Sequence, residues 1–434
     1  MSQRSQNKKS ATADGLIRCH ALSGRVKRLS ALKMSSYHIH LSDDSGYALP
    51  SKAFPNLTSP HLALSLEDWQ TLVATAAAYH VELVPEIDLP GHSSWIAKQL
   101  PELLGPTCSP GVSWCPIDTS PPALNRTVEI VSQIFDEVFA LFKHSRYHHL
   151  GADEVYEDPS LMTLCKCSPN GTYLRNGSTQ QHFQASPHGG PASWQHCADC
   201  ILRGKAGLHA FINRMHRFVK SKGRRTIAWE GFDPDPSKLG QQGVVETIDK
   251  DVMVSPFDVA HHDGWDRTPL DYYRQNYSII NSAWAPLYVC PGGALTTPED
   301  MSLWNPALFG GPNAPTPPQS WQRLAVGKED NWWSPSTQAW AGSTDGWPIT
   351  SKFAGEPRPS TALPLPTQIH GAEICAWQQS ETCLVPLLFA ENCTTKGCAG
   401  QGRPAPRVAI VAERSWGSAT SPADLLERIG CGYS

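Results

Sequence analysis

The stretch YHHLGADEVYED, residues 147–158, is the part of the sequence that decides the fold prediction. An apolar and aromatic run ends there in two adjacent carboxylates, Asp153 and Glu154. Neighbouring side chains of a regular strand point to opposite faces of the sheet, so within a strand these two groups could not share one site. They can converge if the strand ends here and the backbone turns. The simpler alternative is a strand that runs into a solvated acidic turn.

Short apolar runs of the same kind recur along the chain and alternate with helical patterns, which is typical of βα units around a parallel sheet. Strands are predicted over residues 36–41, 81–88, 146–153, 225–232, 252–258, 278–284 and 373–378. Helices are predicted over residues 66–80, 129–145 and 208–222. Seven strands approach the eight of a β/α barrel, whose sites lie at the C-terminal strand ends. The predicted fold class is α/β, a (β/α)8 TIM-type barrel that is incomplete at its N-terminal strand.

The predicted barrel occupies residues 25–434, and residues 1–24 form an atypical N-terminal segment that could be disordered. The stretches 156–207 and 291–370 are too long for ordinary connections and are predicted as long loops over the active-site face. No strand is recognisable ahead of residue 36. An open barrel would expose strand edges, so we expect the sequence to represent a truncated or mis-spliced chain.

Composition and charge exclude several classes of protein. A net charge of −4 over 434 residues gives no reason to expect a nucleic-acid partner, and no apolar stretch is long enough for a membrane span. The first residues, MSQRSQNKKSATADG, lack the apolar core of a signal peptide.

Two other features favour a secretory compartment. Six of the twelve asparagines begin an N-x-S/T triplet: Asn56, Asn125, Asn170, Asn176, Asn276 and Asn392. Several of the 13 cysteines stand in close pairs: Cys108/Cys115, Cys165/Cys167, Cys197/Cys200 and Cys393/Cys398. Disulfides are the favoured interpretation of these pairs, with zinc as the alternative for CKC and CADC. The predicted localisation is secreted or lysosomal/vacuolar.

Four fragments together resemble the family 20 glycoside hydrolases, the β-N-acetylhexosaminidases. They are HIHLSDDSGYAL (38–49), VPEIDLPGHSSW (84–95), HLGADEV (149–155) and AERSWG (412–417), in the order that the family has them. The resemblance covers roughly residues 25 to 420. It implies hydrolysis of terminal N-acetylglucosamine or N-acetylgalactosamine without a metal or other cofactor.

The resemblance places the catalytic pair of the family on Asp153 and Glu154. In this family the 2-acetamido oxygen of the substrate, rather than an enzyme carboxylate, attacks the anomeric carbon. Glu154 would protonate the leaving oxygen and later deprotonate the incoming water. Asp153 would accept a hydrogen bond from the acetamido N–H. Adjacent carboxylates are therefore compatible with this chemistry.

Polar residues at the first two strand ends are expected to support this pair. His40, Asp43 and Asp44 end one strand, and Asp88 and His92 end the next. The resemblance implies a polar chain of Asp88 and His92 beside Glu154, with Asp43 close by. The alternatives are groups that only satisfy loop backbone, or a metal site. Alternation sends His38 and His40 to the same face, and both are metal-compatible types.

Aromatic residues at later strand ends are predicted to form the sugar pocket. The resemblance assigns Trp229 and Trp377 to the pocket walls, and Tyr288 to the acetamido oxygen with Trp284 as a competitor. Gln379 stands where many relatives carry a glutamate that binds distal hydroxyls. Phe257 is expected to replace a further tryptophan.

One departure from the family pattern concerns the first barrel strand. Its sugar-binding arginine has no clear counterpart, since Arg18 fits only with an insertion or deletion. The alternatives are therefore a catalytically impaired sugar-binding protein or a disaccharide-releasing, lacto-N-biosidase-like relative. The predicted partners are β-linked N-acetylhexosamine glycans or chitooligosaccharides, and a homodimer is compatible with the sequence.

Overall fold

The computed structural model divides the chain into two compact units. The first runs to Val252 apart from Ala31–Met34, and the second comprises Ala31–Met34 and the chain from Met253 onward. The structure describes residues 21–105, 116–153, 155, 191–239, 243–257, 269–283, 287–289, 301, 304, 306, 332–334, 339–341, 367–376, 407–416 and 424.

The chain up to Val252 carries six strands and five helices in its described residues. In order these are α1 (residues 21–31), β1 (Ser36–His40), β2 (Ser42–Asp43), β3 (Gly46–Tyr47), α2 (Leu66–Ala78), β4 (Glu82–Glu86), α3 (Ser94–Gln99), α4 (Leu124–Leu141), β5 (Tyr147–His149), α5 (Pro191–Ser221) and β6 (Arg225–Trp229). Short 3₁₀ turns lie at Pro101–Leu103 and Pro236–Leu239.

Strands β1, β4, β5 and β6 lie side by side in this order and are parallel to their neighbours. Helix α2 begins with a capping box, in which Ser65 and Asp68 satisfy each other's backbone N–H groups. Helix α4 buries an apolar stripe that includes Ile130, Ile134 and Phe135. These are the βα units that the alternating pattern predicts, and they bring four carboxyl strand ends to one edge of the sheet.

The C-terminal end of α4 is fixed by a buried arginine. Arg224 donates to the backbone oxygens of Phe139, Phe142 and Ser145 at distances of 3.1, 2.9 and 2.7 Å. A cation that binds the last carbonyls satisfies groups that have no partner within the helix. This contact holds the connection between α4 and β5, the strand that leads to Asp153.

The second unit contains strands β7 (Met253–Ser255), β8 (Ser278–Asn281), β9 (Tyr288–Val289), β10 (Trp332–Ser334), β11 (Ala339–Ala341), β12 (Ile369–Ala372) and β13 (Cys375–Ala376), with helices α6 (Pro269–Arg274) and α7 (Arg407–Ser415). Strand β8 lies between β7 and β12 and is parallel to both. Strands β9 and β13 form a separate parallel pair, and β10 and β11 an antiparallel pair.

All seven predicted strands are present with shorter bounds. The strand predicted over 373–378 is β13, which pairs with β9 outside the β7–β8–β12 sheet, and β12 is a strand that the sequence pattern does not predict. Gly371 has a φ of +149°, and the register shifts between Ile369 and Gly371. A pattern of alternating apolar residues does not reveal such an irregularity.

Two helices begin earlier than predicted. Helix α4 begins at Leu124 rather than at residue 129, and α5 begins at Pro191 rather than at residue 208. The loop predicted over 156–207 is therefore wrong for its last 17 residues, whose polar composition hides a helix that starts with a proline. The segment 291–370, predicted as a loop, includes β10, β11 and the start of β12.

The described residues ahead of β1 form helix α1, and Arg18 lies outside the described residues. Within the part of the chain that the structure describes, no helix is both long and apolar enough to span a bilayer.

Candidate active site

A row of polar side chains crosses the first unit where its parallel strands end. The register places His40 opposite Glu86, and Glu86 opposite His149. His38 lies two residues before His40 and therefore on the same face. Barrel interiors are filled mainly by branched apolar residues, so a carboxylate with three imidazoles marks this layer as a polar site.

Glu86 is the centre of this layer, and its side chain is fully buried. The indole N–H of Trp229 donates to Oε1 at 2.7 Å, and His149 Nδ1 lies 3.1 Å from the same oxygen. On the other oxygen, His40 Nδ1 makes a short hydrogen bond and His38 Nε2 lies at 3.2 Å. Four nitrogen atoms therefore surround one carboxylate.

The charges of this layer follow from burial and pairing. Burial alone would raise the pKa of Glu86, but the charges of His40, His149 and His38 hold this pKa well below its ordinary value. Burial alone would lower the pKa of His40, but Glu86 and Asp43 raise it well above its ordinary value. Removal of one member of such a pair would leave an uncompensated buried charge.

A metal ion is a poor fit to this cluster, although His38, Glu86 and His149 present atoms that all lie within 4.8 Å of one another. Oε1 already accepts the Trp229 N–H, and Oε2 binds His40. A cation would have to replace these donors, and a protonated His40 beside it would repel it.

The hairpin of β2 and β3 carries Asp43 and Asp44 to the mouth of this layer. Asp43 Oδ2 lies 3.1 Å from His40 Nε2, and Asp44 Oδ1 accepts the backbone N–H of Ser94 at 2.9 Å. His92 Nδ1 lies 3.7 Å from Asp44 Oδ2 and 3.9 Å from Asp43 Oδ1. Burial would raise the pKa of Asp44, but the contacts with His92 and Ser94 lower it below its ordinary value.

Asp153 lies on the other side of His92. His92 Nε2 lies 3.8 Å from Asp153 Oδ2, and the Asp153 side chain is 13 % exposed. Asp88, His92 and Asp153 present atoms within 4.8 Å of one another. Burial and the charges of Asp153 and Glu86 raise the pKa of Asp88 well above its ordinary value, against the opposing charge of His92. Asp88 therefore binds its proton more tightly than an ordinary aspartate does.

The backbone around Asp153 is unusually tight. Gly151 has a φ of +76°, and a Cβ at this position would lie 1.8 Å from Asp88 Oδ1. Ala152 has a φ of +74°, a left-handed conformation that costs an L-residue about 1–2 kcal/mol. A Cβ on Gly231 would lie 1.4 Å from the Ala152 carbonyl oxygen. The turn predicted after β5 is therefore present, and it is held between β4 and the segment after β6.

The second unit places Tyr288 against Phe257. Their rings stack with centroids 6.0 Å apart and planes inclined by 11°. Tyr288 stands in β9, and its relative exposure is 9 %. The prediction that Phe257 replaces a tryptophan is compatible with this aromatic contact.

Several predicted site residues lie outside the described residues: Glu154, Trp284, Trp377 and Gln379. Sequence reasoning missed Glu86 and His149. A signal existed for both, because Glu86 shares the strand face of Asp88 and His149 precedes the Asp153–Glu154 pair on the face opposite to His148.

The fold and the site define a β/α-barrel type of protein with carboxylates and imidazoles at its C-terminal strand ends. The chain belongs to glycosyl hydrolase family 20, because the family model described as "Glycosyl hydrolase family 20, catalytic domain" matches residues 17–356.

Curated relatives are similar over part of the chain. Beta-hexosaminidase subunit A2 of Dictyostelium discoideum is 34 % identical over 201 residues, which cover 45 % of this chain and 31 % of that protein. The alpha subunit of Bos taurus beta-hexosaminidase is 33 % identical over 133 residues, which cover 28 % and 24 %. The chain spans less than a third of the length of these two relatives.

Solved structures show the same fold. The chitobiase of Flavobacterium johnsoniae aligns over 95 % of this chain and 48 % of its own, with a TM-score of 0.58 and 20 % identity. The beta-N-acetylhexosaminidase of Bacteroides fragilis aligns over 95 % and 66 %, with a TM-score of 0.55 and 18 % identity.

Proposed function

We propose that this protein is an exo-acting, retaining β-N-acetylhexosaminidase that removes terminal N-acetylglucosamine or N-acetylgalactosamine. Membership of the family supports the reaction class. The position of Asp153 is the observation that carries the proposal. This carboxylate stands at the end of β5, 13 % exposed and 3.8 Å from His92, next in sequence to Glu154.

The proposed reaction has two steps. The acetamido oxygen of the substrate forms a bond to C1 while the glycosidic C1–O bond breaks, and Glu154 gives its proton to the leaving oxygen. Asp153 accepts the acetamido N–H and stabilises the positive charge that develops there. Water then attacks C1 while the bond between C1 and the acetamido oxygen breaks, and the water gives a proton to Glu154, which restores the acid and the acetamido group. Two successive displacements at C1 retain the configuration.

The proposal also assigns roles in substrate binding to aromatic and polar residues outside the carboxylate pair. Trp229 and Trp377 face the sugar and the acetamido group, since packing an apolar sugar face on an indole excludes water. Tyr288 hydrogen-bonds the acetamido oxygen, and Gln379 binds distal hydroxyls without a charge. Asp43 and His92 stabilise the carboxylate pair.

Paired aryl N-acetylglucosaminide and N-acetylgalactosaminide substrates test the proposal. The Glu154→Gln variant should lose at least about 100-fold in kcat on substrates with poor leaving groups, because it cannot protonate the leaving oxygen. A matched control is Glu67→Gln, which changes an exposed carboxylate on α2. Equal rates for wild type and Glu154→Gln would show that Glu154 is not the acid. Sugar binding without hydrolysis by the wild type would favour the sugar-binding alternative.

We also propose that the protein is a glycoprotein of a secretory, lysosomal or vacuolar compartment with disulfides. The three N-x-S/T asparagines in the described residues, Asn56, Asn125 and Asn276, are exposed. Cys197 and Cys200 both lie in α5, and the other close pairs lie outside the described residues. Expression in a eukaryotic secretory host should give a protein whose electrophoretic mobility shifts on endoglycosidase treatment. An unshifted protein would contradict glycosylation.

A further inference from the structure

The carboxylate of Glu86 has no role in the proposed reaction steps, yet four nitrogen atoms surround it. We propose that Glu86 is a positioning residue that fixes two groups at once: the Trp229 indole, which walls the sugar, and the His40 ring, which orients Asp43. The catalytic consequence rests on the proposed function, whereas the orientation of the two rings does not.

The two oxygens of the Glu86 carboxylate bind different partners. Oε1 accepts the Trp229 N–H at 2.7 Å, and Oε2 binds His40 Nδ1. An indole has a single N–H donor, so one buried hydrogen bond determines the rotation of the ring about its side-chain bonds. Trp229 is buried, and rotation would leave both the N–H and the carboxylate without this bond.

His40 lies between two carboxylates, those of Glu86 and Asp43. Nδ1 binds Glu86, and Nε2 lies 3.1 Å from Asp43 Oδ2. An ionised carboxylate only accepts hydrogen bonds, so an imidazole that bonds one on each nitrogen must carry both protons. Glu86 thus holds His40 as a cation, and the cation in turn fixes Asp43.

The contacts continue outward from Asp43 to the catalytic pair. Asp43 Oδ1 lies 3.9 Å from His92 Nδ1, and His92 Nε2 lies 3.8 Å from Asp153 Oδ2. A shift of His40 would therefore change the charge and position of groups beside Asp153. Displacements of about 1 Å at such positions can cost about 100-fold in rate.

The titratable groups that face this pair come from each neighbouring element of the first unit. They are His38 from β1, Asp43 from β2, Asp88 from the end of β4 and His149 from β5, whereas β6 contributes the neutral Trp229. The high pKa of His40 depends on Glu86 first among the groups that raise it. Loss of the Glu86 charge should therefore discharge His40 at a lower pH.

The test is the pair Glu86→Gln and Trp229→Phe, with Glu82→Gln as the matched control. Glu82 stands at the other end of β4 and binds exposed Arg146 at 2.6 Å. In Glu86→Gln, the introduced amide offers one oxygen to Trp229 and its NH₂ to His40, so Nδ1 of His40 must lose its proton. Trp229→Phe keeps an aromatic ring at this position, but it removes the N–H bond to Glu86 and part of the ring volume.

Two readouts are measured. In the protein without substrate, proton–nitrogen correlation NMR follows the His40 ring nitrogens and the Trp229 indole N–H. Glu86→Gln should convert His40 from doubly to singly protonated at neutral pH, and Glu82→Gln should leave both signals unchanged. In assays, Glu86→Gln should lower kcat/KM by about 100-fold. The alkaline limb of the pH profile of kcat/KM should move to lower pH. Trp229→Phe should raise KM more than it lowers kcat.

An unchanged His40 signal in a folded Glu86→Gln variant would overturn the proposal whatever the activity. A loss of kcat/KM no larger than that of Glu82→Gln would also overturn it. If Glu86→Gln does not fold, the Trp229→Phe variant decides. Without substrate, its His40 ring must stay doubly protonated, and in assays its KM must rise. A singly protonated His40 or an unchanged KM in this variant would overturn the proposal. An inactive wild type with the expected NMR changes would contradict the proposed function and leave the orientation by Glu86 supported.

Discussion

His92 lies between Asp153 and the acidic hairpin: its Nε2 is 3.8 Å from Asp153 Oδ2, and its Nδ1 is 3.7 Å from Asp44 Oδ2. One imidazole therefore separates carboxylates that come from the ends of two different strands. Without it, like charges would face one another across the mouth of the site, which raises the pKa values of carboxylates.

His92→Asn should reduce kcat/KM by about 100-fold and change stability little. Asparagine tolerates the φ of +44° that His92 adopts, so the backbone should be preserved. The pKa of Asp44 should rise, because His92 is one of the groups that lower it. Steady-state kinetics measures the effect, with His144→Asn on an exposed position as the control. Unaltered kinetics would contradict a role for the imidazole.

Asp88→Asn should make the protein more stable at neutral pH. The folded protein raises the pKa of Asp88 above its ordinary value of 3.8, so it binds this proton more tightly than the unfolded chain does. The stabilisation is complete below 3.8 and is lost as the pH rises through the folded pKa. The variant cannot ionise, so its advantage over the wild type should grow across this window. Denaturant unfolding at several pH values measures it, and a constant difference would contradict the shift.

Gly151→Ala should destabilise the protein far more than Gly223→Ala. The two glycines have nearly equal φ angles, +76° and +74°, so both variants incur a left-handed alanine that costs about 1–2 kcal/mol. A Cβ meets Asp88 Oδ1 at 1.8 Å at position 151 and nothing within 4 Å at position 223. The difference between the two losses of unfolding free energy isolates the clash. Equal losses would mean that Asp88 moves aside freely.

Tyr288→Phe should lower kcat without unfolding the second unit. The ring that stacks on Phe257 remains, and only the hydroxyl proposed to hold the acetamido oxygen is removed. Loss of one such donor costs on the order of 100- to 1,000-fold in kcat. Kinetics together with thermal unfolding separates the two effects. Full activity of the variant would transfer the role to another group, for which Trp284 is the predicted competitor.

Dialysis against a chelator should leave activity unchanged. The donors around Glu86 already satisfy the oxygens that a cation would need. Activity before and after chelation, and after addition of zinc, measures the effect. A loss that zinc restores would contradict this prediction and show that the protein needs a metal, for which His38, Glu86 and His149 are one candidate cluster.

The strands and their polar ends could be predicted because they are local. Period-two apolar runs mark β1, β4, β5 and β6, and the turn after β5 follows from the adjacency of Asp153 and Glu154. The position of β12 could not be predicted, because the glycine with positive φ and the register shift depend on the neighbouring strand β8.

The partners of Glu86 show most clearly which part of the site could not be predicted from the sequence. His40, His149 and Trp229 come from three other strands, and the residue numbers of Glu86 and Trp229 differ by 143. Nothing local distinguishes a buried carboxylate with four nitrogen contacts from a solvated one, since its charge state depends on groups that only folding brings together.

Local pattern alone thus specifies the βα units, the family motifs and the carboxylate pair, because strand periodicity and turn chemistry operate over a few residues. The folded chain alone decides that His92 stands beside Asp153, that the pKa of Asp88 is raised, and that Glu86 joins His40 to Trp229. These relationships depend on burial and on distances between separate strands, and both arise only when the sheet is assembled.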